Sequence, residues 1–104
     1  LGMPREIAMR HRLPHFDHLF GGNAYAAGYY VYLWAEVLDA DAWEAFVEAG
    51  DVFDRGVAER LLRCVYSSGG TLDPAAAYRA FRGRDPAIEP MLADRGLVGE
   101  EAPA

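Results

Sequence analysis

Residues His18 to Trp34 read H-L-F-G-G-N-A-Y-A-A-G-Y-Y-V-Y-L-W, a histidine and a double glycine leading into a run with four tyrosines. With Tyr25 as the zero of a helical wheel, Tyr29, Tyr32 and Glu36 fall within roughly 40° of it. They make one polar-tipped stripe. Ala26, Tyr30, Leu33, Trp34 and Val37 gather on a neighbouring sector, an apolar face sufficient for packing. The sequence therefore predicts a helix over about 24–38, capped by Asn23 after the permissive Gly21-Gly22 turn.

The rest of the chain follows from helix punctuation. Asp39 and Asp41 are expected to interrupt the tyrosine helix, one or the other capping a second segment whose Trp43, Phe46 and Val47 point inward at i, i+3 and i+4. Gly50 closes it. A third helix is expected from Asp54, burying Val57, Leu61, Leu62 and Val65 with Cys64 among them, and ending at Ser67-Ser68-Gly69-Gly70. Asp73-Pro74 and Asp85-Pro86 each place a capping carboxylate before a proline at the first helical position. The first should open a helix with Tyr78 and Phe81 inward, ending near Gly83. The second should open one through Met91 and Leu92 to Gly96, with Pro90 interrupting its first turn.

Residues before the tyrosine run hold Pro4 and Pro14 and show no helical repeat, so they read as extended or looped chain, with a short strand around Ile7 to Arg12. Their apolar members, among them Met3, Ile7, Leu13 and Phe20, need covering. The fold class is all-α: a small bundle of about four to five helices after an extended segment of about 20 residues. The expected organisation is 1–22 as loop with a glycine-rich turn, 23–97 as the helical part and 98–104 as a disordered tail.

Composition limits the partners. A net charge of −6, from 16 acidic and 10 basic side chains, gives phosphate backbones no overall attraction, so no nucleic acid is expected. The basic run Arg5 to Arg12 is short and reads as a solvated surface. The apolar and glycine run Ala24 to Ala35 is 12 residues, too short for a membrane span. No targeting segment is visible, and the single cysteine, Cys64, fits a reducing, cytoplasmic setting.

His11, His15 and His18 stand at i, i+4 and i+7, which on a helix would align three imidazoles as metal ligands. Pro14 argues against that helix, so no metal ligand is assigned. H-E-x-x-H, C-x-x-C, G-x-x-x-x-G-K-[ST] and G-x-S-x-G are all absent from the sequence, and the chain alone is not expected to catalyse. The tyrosines admit two readings. They form an amphipathic seam with buried rings and wet hydroxyls, or they donate hydrogen bonds to a reacting oxygen, because a phenol with a reference pKa near 10 is protonated at neutral pH.

The run His18-Leu19-Phe20 … Tyr25-Ala26-Ala27-Gly28-Tyr29-Tyr30-Val31-Tyr32-Leu33-Trp34-Ala35-Glu36 closely resembles the C-terminal region of the M3 zinc oligopeptidases, above all the peptidyl-dipeptidase and oligopeptidase A branch. Pro4-Arg5-Glu6-Ile7, Arg10-His11-Arg12, Pro14-His15-Phe16, Asp39-Ala40-Asp41-Ala42, Tyr66-Ser67-Ser68-Gly69-Gly70 and Ala80-Phe81-Arg82-Gly83-Arg84-Asp85-Pro86 extend the likeness over nearly the whole chain. The resemblance implies a largely helical peptidase whose zinc ligands and water-activating glutamate lie in H-E-x-x-H and beyond, all upstream of Leu1. It implies that Tyr32 donates to the oxyanion, that His18 and Tyr25 stand beside the bound peptide, and that Tyr29 is a further substrate-side residue. Some thimet-type members read H-L-x-G-G-Y, whereas Asn23-Ala24 adds two residues before Tyr25, which brings the turn closer to the peptidyl-dipeptidase branch.

The expected function is thus a C-terminal portion of a zinc metallopeptidase hydrolysing short peptides, inactive by itself and partnered by the N-terminal portion. A first residue that is not methionine fits excision from a longer polypeptide. Zinc belongs to the parent enzyme and no cofactor to this chain alone. The alternative is a non-catalytic helical interaction module derived from a truncated or degenerate peptidase. Uncovered apolar surface on such a piece invites self-association.

Overall fold

The structure is a computed structural model that describes residues 2–98, and the expected tail from 99 on lies outside the described residues. Five α-helices follow in order: α1 (Asp17–Phe20), α2 (Tyr30–Ala49), α3 (Arg55–Leu61), α4 (Pro74–Arg82) and α5 (Glu89–Asp94). A 3-10 turn at Leu13–His15 precedes α1, and a π-helical turn at Leu62–Tyr66 continues α3. The all-α expectation holds. No strand forms among the described residues, so Ile7 to Arg12 is irregular chain rather than the strand read from its sequence. The chain divides into two compact units, Leu1–Leu33 and Trp34–Ala104.

In the first unit, Pro14 opens the 3-10 turn. Phe16 lies between that turn and α1, its amide bonding back to Leu13 and its carbonyl accepting from Leu19 and Phe20. The helix expected from residue 24 starts six residues later. Residues 26–29 are turn, held by bonds from Gly28 N to Tyr25 O, 3.0 Å, and from Val31 N to Gly28 O, 3.2 Å. Glycine inside a helix costs about 1 kcal/mol relative to alanine. Gly28 therefore favours the tighter i to i+3 turn, and Asn23 caps nothing.

In the second unit, α2 runs unbroken through Asp39 and Asp41. Asp41 is fully buried rather than capping a helix. Its Oδ2 accepts from the Tyr78 hydroxyl at 2.6 Å and from Arg82 Nε at 3.2 Å, and Arg84 Nη2 lies 2.7 Å from Oδ1. No well-aimed hydrogen bond reaches Oδ1, so the adjacent Arg84 charge is its compensation. Arg82 also makes a two-pronged pair with Glu48, at 2.8 and 2.9 Å. Burial opposes ionisation of Asp41, but the hydrogen bonds from Tyr78 and Arg82 and the adjacent Arg84 guanidinium outweigh it and hold the carboxyl below its usual range. The same network raises the pKa of Tyr78, by burial first and then by its bond to Asp41. A buried carboxylate with these partners is tolerated in mid-helix because its charge is matched there.

The core is Ala45, Val57, Cys64, Tyr78 and Phe81, with Leu38, Ala42, Phe46, Leu61 and Val65 packed against it. Taking Ala45 as zero on the α2 wheel, Leu38, Asp41 and Ala42 lie within about 60°, while Trp43 and Val47 lie about 160° away. Small residues thus make the inward stripe. Trp43 and Val47, expected inside, are each 52% exposed. Leu62 sits about 140° from Val57 on the same reckoning and is likewise exposed, contrary to expectation. Tyr30, Leu33 and Trp34, read as the packing face, are exposed too, since no side chain of the described residues covers them.

Two caps follow the sequence closely. Asp54 accepts from Val57 N at 2.8 Å to start α3, and Asp73 accepts from Ala76 N at 2.9 Å to start α4. Gly83, at φ 78°, ends α4 in the left-handed conformation that glycine adopts most readily. Asp85-Pro86 starts no helix. The Asp85 carboxylate is taken by Arg79 Nη1 at 2.8 Å, and α5 begins at Glu89 with Pro90 in its first turn, where the missing amide costs nothing. An exposed pair from Arg95 to both oxygens of Glu36 joins the end of α5 to α2.

Candidate functional site

All four residues singled out from the sequence meet in the first unit. The His18 ring on α1 lies 5.5 Å from that of Tyr25 and 6.1 Å from that of Tyr29, and Tyr29 lies 5.6 Å from Tyr32. The three tyrosines were expected along one face of one helix, with His18 in the chain before it. Instead α1, the turn at 26–29 and the first turn of α2 each supply a part, and the rings touch in series. Glu36, the fourth member of the expected stripe, has its carboxylate engaged by Arg95.

Phe16 is the residue that the sequence reading passed over. Its ring stands 4.9 Å from Tyr29 edge-on and 5.9 Å from His18, bridging the two. Edge-to-face aromatic pairs of this kind contribute about 0.5–1.5 kcal/mol beyond the area they bury. The signal was available: an aromatic two residues before His18, just past a proline turn, has its own ring neighbours as its nearest cover.

Tyr25 and Tyr32 are exposed, whereas Tyr29 is half-buried. Burial, reinforced by the neighbouring hydroxyls of Tyr32 and Tyr25, raises the Tyr29 pKa above the ordinary phenol value. It is therefore a hydrogen-bond donor throughout the neutral range. Beside the rings, a hollow of about 220 Å³ is lined by Asp17, His18, Gly21, Gly22, Ala24 and Tyr25. Gly21 is required there by close approach: a Cβ on it would stand 2.3 Å from Asp17 Oδ1 and 2.9 Å from the Asp17 carbonyl oxygen. The site offers the Tyr25 phenol and the His18 imidazole on an open recess, with Tyr29 and Tyr32 continuing the aromatic series beside it. That arrangement can bind and polarise a carbonyl.

His11 and His15 do not join His18 in a ligand set. Pro14 sits in a 3-10 turn, which breaks the i, i+4, i+7 alignment, and among the described residues no three His, Cys, Asp or Glu side chains are placed to hold a metal ion.

Residues 1–97 match the family model described as peptidase family M3. The chain belongs to peptidase family M3. Among M3 relatives, oligopeptidase A of Escherichia coli (strain K12) is 46% identical over 89 residues, 85% of this chain and 13% of that protein. The dipeptidyl carboxypeptidase of the same organism is 44% identical over 91 residues, covering 88% and 13% respectively. Saccharolysin of Saccharomyces cerevisiae is 34% identical over 83 residues, covering 79% and 11%. This M3 chain thus spans about one-eighth of the length of the curated relatives it matches. Among its described residues, no helix is long and apolar enough to cross a membrane.

Proposed function

We propose that this chain forms one wall of the active site in an M3 metallopeptidase that cleaves short peptides, as a peptidyl-dipeptidase or an oligopeptidase. The observation that carries the reading is the serial contact of His18, Tyr25, Tyr29 and Tyr32 in a chain of this family. Tyr32 donates from its hydroxyl to the oxyanion that develops when the scissile carbonyl becomes tetrahedral. An oxyanion donor of this type lowers the barrier by about 3 kcal/mol. His18 and Tyr25 border the peptide at the recess, and Tyr29, kept protonated, supplies a further donor on the substrate side. The catalytic metal of the whole enzyme is zinc; among the described residues no side-chain set fits it, so its ligands are assigned to polypeptide other than these residues. The partner is accordingly that N-terminal portion, and the compartment is the cytoplasm, where the unpaired Cys64 stays reduced.

The test replaces the matching C-terminal segment of Escherichia coli oligopeptidase A with this chain and follows hydrolysis of a quenched peptide. The chimera should cleave it and the isolated chain should not. Hydrolysis or tight zinc binding by the isolated chain would overturn the reading, and a folded but inactive chimera would favour a non-catalytic interaction module.

A further inference from the structure

Phe16 stands outside the hydrophobic core and is 37% exposed, so filling the core does not explain it. Its backbone is held from both sides. The amide donates to Leu13 O at 3.0 Å, and the carbonyl accepts from Leu19 N and Phe20 N at 3.0 and 3.3 Å. Phe16 is therefore fixed to α1, the helix that carries His18. Its ring crosses to the Tyr29 ring edge-on at 4.9 Å, near the short end of the range of about 4.5–7 Å that aromatic pairs prefer. His18 reaches Tyr29 only at 6.1 Å. Of the two, Phe16 makes the closer bridge from α1 to Tyr29.

Tyr29 needs such an anchor because its own backbone is loosely tied. It lies in the turn at 26–29, where Gly28 N to Tyr25 O, Val31 N to Gly28 O and Tyr32 N to Tyr29 O, at 3.0, 3.2 and 3.3 Å, are all i to i+3 bonds. That pattern has poorer hydrogen-bond geometry than an α-helical ladder. The Tyr29 ring in turn meets the Tyr32 ring at 5.6 Å, whereas the ring contacts of Phe16 are with His18 and Tyr29. We infer that Phe16 is a positioning residue for the oxyanion donor: fixed to α1, it sets the Tyr29 ring, and Tyr29 sets the ring of Tyr32. The inference rests on the role of Tyr32 proposed above. It gives the aromatic series a direction, from α1 through the turn to the start of α2.

The oligopeptidase A chimera tests it through a double-mutant cycle. Phe16→Leu keeps an apolar side chain but removes the ring, and it should lower kcat about tenfold, as a sub-ångström misplacement does. Phe16→Met is a second aliphatic variant read by the same criterion. Phe16→Tyr restores a ring and should keep kcat within about twofold of the unsubstituted chimera. In a Tyr32→Phe background the hydroxyl to be positioned is gone, so Phe16→Leu should lower kcat by no more than about twofold. Undiminished loss in that background, an unchanged kcat for both aliphatic variants, or a loss from Phe16→Tyr as large as theirs would overturn the inference. The chain by itself gives a reading without catalysis. In NMR spectra of its aromatic side chains, Phe16→Leu should move the Tyr32 ring resonances along with those of His18 and Tyr29, and unmoved Tyr32 resonances would also overturn it. Failure of the peptidase reading looks different: the unsubstituted chimera does not cleave peptide, while the spectra still decide the relay from ring to ring.

Discussion

The sharpest demands on single residues come from Gly21 and Asp41. A methyl group on Gly21 would overlap both the carboxylate and the backbone oxygen of Asp17, the residue before His18. Gly21→Ala should therefore displace the last turn of α1, and in the active chimera it should lower kcat/KM by about tenfold to a hundredfold, as ångström-scale misplacement does. Steady-state kinetics with unchanged values would remove His18 from the substrate side. Asp41 has the opposite character, a charge matched from three directions. Asp41→Asn should destabilise the chain by about 3 kcal/mol, since one partner of a buried pair is removed, measured by urea denaturation. The pH dependence has a definite sign. The folded carboxyl is held below the value of the unfolded chain, so its stabilisation is complete above about pH 4 and is lost as the pH falls through the folded pKa. The acid limb of wild-type stability should be steeper than that of Asp41→Asn. At this scale the sequence was readable for His18, Tyr25, Tyr29 and Tyr32 as neighbours. The burial of Asp41 was not, because its partners Tyr78, Arg82 and Arg84 lie about forty residues away.

Among the helices, local signals succeeded where the chain itself supplied both halves of an interaction. Asp54 and Asp73 cap helices because the amide three residues on is the nearest donor. Asp73→Ala should cost about 1 kcal/mol, visible as a lowered urea midpoint with unchanged slope. Asp85-Pro86 carries the same local pattern and fails because Arg79 takes the carboxylate across a gap of six residues. α2 shows the complementary error. Reading its large side chains as inward placed Trp43 and Val47 in the core, whereas it is Ala45 that lies in the core with Val57 and Phe81, and Ala42 that packs against it. The turn at 26–29 was hidden for another reason: alanines and tyrosines continue a helical pattern that Gly28 and the i to i+3 bonds of the turn do not obey.

For the whole molecule, exposed aromatic and aliphatic groups are the dominant feature. Tyr30, Leu33, Trp34, Trp43 and Phe53 all stand largely in water, a surface that belongs more naturally to one part of a longer protein than to an isolated domain. That character was legible in the sequence as apolar residues in excess of what one small core could cover, together with the family likeness. The absence of a metal-ligand motif was equally legible, because it needs no three-dimensional information. What a helical wheel did not show is how the tyrosine site is assembled from α1, a turn and the start of α2 within one unit. The central claim is that this assembly presents Tyr32 to the oxyanion of a peptide undergoing hydrolysis. Its most direct test is the kinetics of Tyr32→Phe in the oligopeptidase A chimera: the account predicts kcat about a hundredfold lower with KM little changed, and a kcat equal to that of the unsubstituted chimera would contradict it.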